Sequence, residues 1–153
     1  MTTALIRCIA VDPGAISGAY AVFADGAAQF VDDLPVVDGQ VDAVSLAEIV
    51  RMFEPQAAVV ERVASMPKQG VASTFKFGAA VGIIHGVLGA LQVPTALVTP
   101  GRWKKHYNLG SDKEAARALA IRTFPEITGL SRKKDQGRAE ALLLGAFWLK
   151  VLA

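Results

Sequence analysis

At 153 residues the chain has the length of one ordinary domain, and with 52% hydrophobic and 20% charged residues it is neither disordered nor collagen-like. One cysteine, Cys8, excludes an internal disulfide and a thiolate-rich zinc site, and the two histidines, His85 and His106, offer no HxxxH pair. The net charge of +2 conceals opposite halves, and any metal here must be held mostly by oxygen.

Residues 1–14 (MTTALIRCIAVDPG) lack the apolar core and small-residue cleavage site of a secretory signal, so a cytoplasmic protein is expected. Residues 6–11 (IRCIAV) are apolar apart from Arg7 and run into Asp12-Pro13-Gly14, the pattern of a buried strand ending in a turn. Residues 18–24 form a second strand, Asp25-Gly26 marks a hairpin, and 27–31 return as a third. Ser45, three residues before Glu48, fits the N-cap of a helix carrying Leu46, Ile49, Val50 and Phe53 on one face, with Pro55 ending it. Residues 57–60 (AAVV) are a short interior strand with Glu61 at its carboxyl end. A polar loop over 64–73 leads to an apolar helix over 74–91. Its most apolar stretch, 77–91, falls short of the roughly 20 residues of a membrane span and contains His85, so a buried helix is expected. Residues 95–98 (TALV) are another strand, and 102–107 one or two helical turns. Ser111-Asp112-Lys113-Glu114 matches a capping box for a helix to Phe124, before Pro125. A basic loop, Arg132-Lys133-Lys134, opens on a last helix over 136–152. Three strands followed by alternating helices and strands predict an α/β fold around one mixed sheet, antiparallel on one side and parallel on the other.

Four acidic residues stand where an ionised carboxylate is expensive unless paired or bound to a cation. Asp12 and Glu61 each end an apolar strand, and in open α/β sheets ligands gather beyond the carboxyl ends of strands. Glu140 interrupts the apolar run AEALLL at 139–144. Asp135 stands at the start of the same helix; five residues is not a same-face spacing, so it would have to reach in from the cap or the loop. Converging carboxylates with few nitrogens and no thiolates fit Mg²⁺, with Mn²⁺ as the alternative. Two such ions about 4 Å apart can activate a water and stabilise the leaving oxygen of a phosphodiester. The plainer alternatives are a turn-forming Asp12, Glu61 paired with Arg62, Asp135 serving only as a helix cap, and Glu140 reaching the surface.

Charge separates along the chain. Residues 1–66 carry three basic against nine acidic side chains, residues 67–153 carry 13 against five, and ten of those basic ones fall between Arg102 and Arg138. Such segregation suggests a polyanion partner for the second half, a solvated helical surface being the alternative.

At these residues the sequence resembles the RuvC-type Holliday junction resolvases of the RNase H-like superfamily, in the compact phage or small bacterial form. The matching pieces are IAVDPGAISGAYAV (9–22), VVERV (59–63), STFKFGAAVGIIHGVLGAL (73–91), VTPGRWKKHYNLGSDKEAARALAIRTFP (98–125) and KKDQGRAEALLLGAFW (133–148). The resemblance implies one nuclease domain over 1–153, with a five-stranded mixed sheet flanked by helices. It implies a homodimer that nicks opposed strands of a four-way DNA junction with Mg²⁺, with two ions per site, leaving 5′-phosphate and 3′-hydroxyl ends. Asp12, Glu61 and Glu140 match the family's acidic ligands. The family's remaining ligand, three residues before the last acid, is here Gly137, and Asp135 is the expected substitute. Lys104 and Lys113 match basic residues near the scissile phosphate. Lys105, Arg132, Lys133, Lys134 and Arg138 are expected on the DNA backbone. The loop after Glu61 supplies Met66 and Phe75 as apolar wedges at the crossover, Phe75 fitting the core equally well. Gly78, Gly82 and Gly86 form a smooth stripe suited to a dimer interface or to close packing on the sheet. The alternatives are a branched-DNA-binding module without catalysis, and a nuclease of the same fold acting on flaps, other branched DNA or RNA–DNA hybrids. A sugar-kinase-like ATPase is disfavoured, because one short domain cannot close over a nucleotide.

Overall fold

The computed structural model describes residues 6–14, 18–64 and 68–152. Its centre is a five-stranded sheet of β1 (Arg7–Asp12), β2 (Ala19–Ala24), β3 (Ala27–Asp33), β6 (Ala57–Glu61) and β7 (Thr95–Val98), in the order β3-β2-β1-β6-β7. β1, β2 and β3 pair antiparallel, while β6 and β7 continue from β1 in parallel. The two parallel crossovers each carry a helix, α1 (Ala43–Phe53) and α2 (Val71–Ala90). The mixed sheet expected from the order of elements is therefore present.

Alternation along the strands divides the interior in two. Ile9, Val11, Val22, Ala58 and Val60 face α1 and α2, where Leu46, Val50, Ile84 and Leu88 close the first core. Cys8, Ala10, Ala21, Phe23 and Val59 face the other way, toward α3 (Pro100–His106), α4 (Lys113–Thr123) and α5 (Gln136–Phe147). Five of the six β1 residues are buried, as expected of a strand covered on both faces. A short π-helical turn, Trp148–Leu152, extends α5.

Several boundaries differ from the sequence expectation for local reasons. Asp42, not Ser45, caps α1: its Oδ1 accepts from the Val44 and Ser45 backbone N–H groups, and Ser45 Oγ donates to its Oδ2 at 2.6 Å. Asp112, not Ser111, caps α4, accepting from Glu114 N–H at 2.9 Å, while the Glu114 carboxylate turns to Arg117. A two-stranded hairpin, β4 (Val36–Val37) with β5 (Gln40–Val41), was not foreseen. Its turn is Asp38-Gly39, both at positive φ, the same device as Asp25-Gly26. α2 begins at Val71 rather than 74, so it is 20 residues long, and by length and composition it could cross a membrane. In the fold only Ala80, Ile84 and Leu88 of this helix are buried, packing into the first core beside α1, so the buried helix expected from the sequence is corrected to one covered along a single side.

Candidate active site

Strand register brings the first two acids together. β1 and β6 run parallel with Val11 opposite Val60, so the next residues, Asp12 and Glu61, finish side by side at the carboxyl edge of the sheet. Gly18 permits that ending, because a Cβ there would lie 2.2 Å from the Asp12 carbonyl oxygen. Glu140 arrives on α5, which presses onto the sheet at Gly145. A Cβ at 145 would fall 2.3 Å from the Phe23 ring and 2.9 Å from Ala10 Cβ. Asp12, Glu61 and Glu140 are all buried and offer oxygens within 4.8 Å of one another.

Three carboxyl groups this close and this dry cannot all carry free charge. Loss of water holds the Asp12 carboxyl well above its ordinary range; repulsion from Glu61 and Glu140 adds to that, Lys113 opposes it, and a hydrogen bond with Glu140 raises it further. Burial likewise raises Glu61. The Trp103 hydrogen bond opposes that rise, Glu140 adds to it, and Lys104 and Lys113 oppose it. No ion pair among the described residues reaches the three. An oxygen-only cluster of this kind fits a hard divalent cation, which would relieve the mutual repulsion. The thiol of Cys8 plays no comparable part: it is buried in the second core and pushed up to about 12.

Asp135 does not join the cluster. It ends a 3-10 turn (Lys133–Asp135), where its carboxylate accepts from the Arg132 backbone N–H at 2.8 Å and from the Arg132 guanidinium at 2.7 Å, with Arg138 3.7 Å away. The Arg132 bonds hold its carboxyl below the usual range. Five residues before Glu140, it lies about 140° around the helix axis from that side chain. The position facing the acids is Gly137, where a Cβ would lie 3.6 Å from Asp12 Oδ2. The expected substitution of Asp135 for a ligand at 137 is thus corrected: Asp135 is a cap.

Around the acids lies a cleft of ≈ 470 Å³ lined by Lys104, Lys113 and Lys134, with Gln69, Phe77, Pro100, Gln136 and Gly137. Lys105 is outside it, lining an adjoining groove with Lys104, Asn108 and Ser111. Lys133 is exposed on the loop, and Arg132 is exposed but engaged by Asp135. Arg138 does not face solvent as a DNA contact should. It donates to Asp33 at 3.0 Å, to Asp32 at 3.2 Å and to the Gly129 carbonyl at 3.1 Å, tying α5 to β3. Phe75 is 73% exposed near the start of α2, not core. Met66 lies outside the described residues. Gly78, Gly82 and Gly86 lie on the exposed side of α2, where a Cβ would meet nothing within 4 Å among the described residues; they do not serve close packing on the sheet.

Sequence reasoning missed Trp103. Residues 102–107 read only as one or two helical turns, yet this indole is fully buried and donates from Nε1 to Glu61 Oε2 at 2.7 Å. The available sign was chemical: a tryptophan in an interior needs an acceptor for its N–H. Phe77, Gln136 and Gln69 were also missed, since no charge or spacing sets them apart.

A mixed sheet with this strand order, and an acidic cluster where β1 and β6 end beneath α5, defines an RNase H-like fold. No protein-family model and no curated protein matches the chain. Solved structures do match. The chain aligns with Thermus thermophilus RuvC in complex with a Holliday junction substrate at 17% identity and a TM-score of 0.68, over 96% of this chain and 97% of that one. It aligns with the fowlpox virus resolvase in complex with substrate Holliday junction DNA at 15% and 0.65, over 96% and 99%. With the yeast mitochondrial Holliday junction resolvase the values are 14% and 0.61, over 95% and 79%. At these identities the likeness is one of fold: the chain has the RNase H-like fold of the RuvC-type resolvases.

Proposed function

We propose that the chain is a divalent-cation-dependent endodeoxyribonuclease, a single domain over 1–153, that resolves four-way DNA junctions by paired nicks as a homodimer. The observation that carries this reading is the buried triad of Asp12, Glu61 and Glu140 within 4.8 Å. Its support is the fold, which is shared with resolvases solved on junction DNA.

The three carboxylates would hold Mg²⁺, which when bound acidifies water and stabilises charge on the phosphodiester. Burial removes competing solvent and keeps the oxygens pointed at one spot before the ion arrives. With Asp135 engaged by Arg132, three protein carboxylates remain, so a second ion would draw most of its ligands from phosphate and water. Lys104, Lys113 and Lys134 line the cleft and would neutralise the strand's phosphates. Lys113 is the first residue of α4, where unpaired backbone N–H groups also favour an anion. Lys105, in the adjoining groove, would carry the strand onward. The exposed ring of Phe75, together with the segment containing Met66, would press against bases at the crossover. The exposed glycine stripe on α2 would let a second copy's helix approach closely.

One observation favours the alternative of a branched-DNA-binding module, namely the empty side-chain position at Gly137 beside Asp12. A competition experiment separates the readings, offering labelled four-way junction, flap, RNA–DNA hybrid and linear duplex with Mg²⁺. Preferential cutting of the junction on opposed strands is expected. Junction binding without any cutting would favour the module, and preferential cutting of flaps or hybrids would reassign the substrate.

A further inference from the structure

The geometry points to Trp103 as a positioning residue that fixes the Glu61 carboxylate as a one-oxygen cation ligand and, through the same ring, sets Lys104 over the cleft. The inference rests on the cation site proposed above and adds to it a residue that never touches the ion.

Trp103 is the one buried residue of α3, a helix of seven residues whose other side chains are at least partly exposed. The ring is fully buried in the second core, which also holds Val59, Val98 and residues of α5, and that burial restricts the indole. An indole N–H can only donate and never ionises in this range. Its one hydrogen bond goes to Glu61 Oε2 at 2.7 Å, short for N–H···O and charge-assisted when Glu61 is ionised. Glu61 is itself buried at a strand end and offers one oxygen to the triad, so a bond that holds Oε2 against α3 fixes how the carboxylate is presented there. The adjacent residue completes the arrangement. Lys104 Nζ lies 5.5 Å from the centroid of the Trp103 ring and its side chain lines the cleft. One buried ring thus orients a carboxylate meant for the cation and a cation meant for the phosphate. Partners that orient ligands in this way are typically worth about 10–100-fold in metal affinity.

W103F keeps an aromatic ring and removes the donor. Mn²⁺ binding to the intact protein, followed by calorimetry and by electron paramagnetic resonance, reads its effect without any cleavage step. The expected result is a loss of about 10–100-fold in Mn²⁺ affinity for W103F, and no further loss when W103F is added to E61Q. A second measurement uses the unmodified chain: the ¹H–¹⁵N indole resonance of Trp103 should shift on titration with Mg²⁺ while that of Trp148 stays in place. This reading stands even should W103F fail to fold. Wild-type Mn²⁺ affinity in folded W103F, or a Trp103 resonance indifferent to Mg²⁺ in protein that binds the ion, overturns the Trp103 assignment alone. Absence of Mn²⁺ binding by the wild type overturns the cation site and this assignment with it.

Discussion

Burial and the neighbouring Glu61 and Glu140 carboxyls hold the Asp12 carboxyl well above its ordinary range, and replacing Asp12 should relieve that repulsion and, on the proposed reading, remove a cation ligand. Asn keeps the shape and removes the charge, so D12N should lose the rise in Tm that Mg²⁺ is expected to give the wild type under the proposed cation site. In chelator it should gain stability, roughly 2–4 °C for each kcal/mol of repulsion relieved. The pH trend follows from the direction of the shifts. A carboxyl whose folded value is raised binds more protons folded than unfolded, so stability falls as pH climbs from about 4 toward the raised value. Asp42, Glu114 and Asp135, held below the usual range, act the other way, and their contribution is lost as pH falls below about 4. Metal-free wild type should therefore lose Tm as pH rises above about 4, D12N less so; parallel curves would contradict the coupling. At this scale Asp12, Glu61 and Glu140 were legible because each breaks an apolar run at a strand end or helix face. Asp135 was not, because its fate depends on Arg132 and Arg138, whose directions no spacing reveals.

Among elements, α5 decides the site, and its placement relies on two contacts of different kinds. Gly145 lets it lie on Phe23 and Ala10, and Arg138 ties its first turn to Asp32 and Asp33 on β3. R138A should accordingly lower stability by about 1–3 kcal/mol. It should leave the slope of log affinity for junction DNA against log salt unchanged, whereas K113A reduces that slope by about 0.9. Equal loss of slope in both variants, with full stability in R138A, would return Arg138 to the DNA surface. The strands and helices themselves were readable, since their periods and breakers are local. The α4 cap moved from Ser111 to the adjacent Asp112, which can take the same backbone donor, and the α1 cap moved to Asp42 because the helix begins a turn earlier, where Asp42 accepts from Val44 and Ser45 N–H. The β4–β5 hairpin carried a visible Asp-Gly turn but strands of only two residues, too short to show a period.

At the scale of the whole molecule, α2 leaves an apolar, glycine-striped side exposed, and the proposed homodimer would cover it. A Cβ at Gly82 would meet nothing within 4 Å among the described residues and G82L removes a helix-interior glycine, so the monomer should be no less stable. Sedimentation should nevertheless show a weakened dimer; an unchanged dimer would place the interface elsewhere. The basic second half and acidic first half also find their use only here, where β1 and β6 bring carboxylates to a cleft whose lysines come from α3, α4 and the turn before α5. The most direct test of the central claim is nicking of a synthetic four-way junction by the wild type and by D12N, each with Mg²⁺ and with chelator. The expected result is paired nicks from the wild type with Mg²⁺ alone, and retained junction binding without nicks from D12N. Undiminished nicking by D12N, or nicking in chelator, would contradict it.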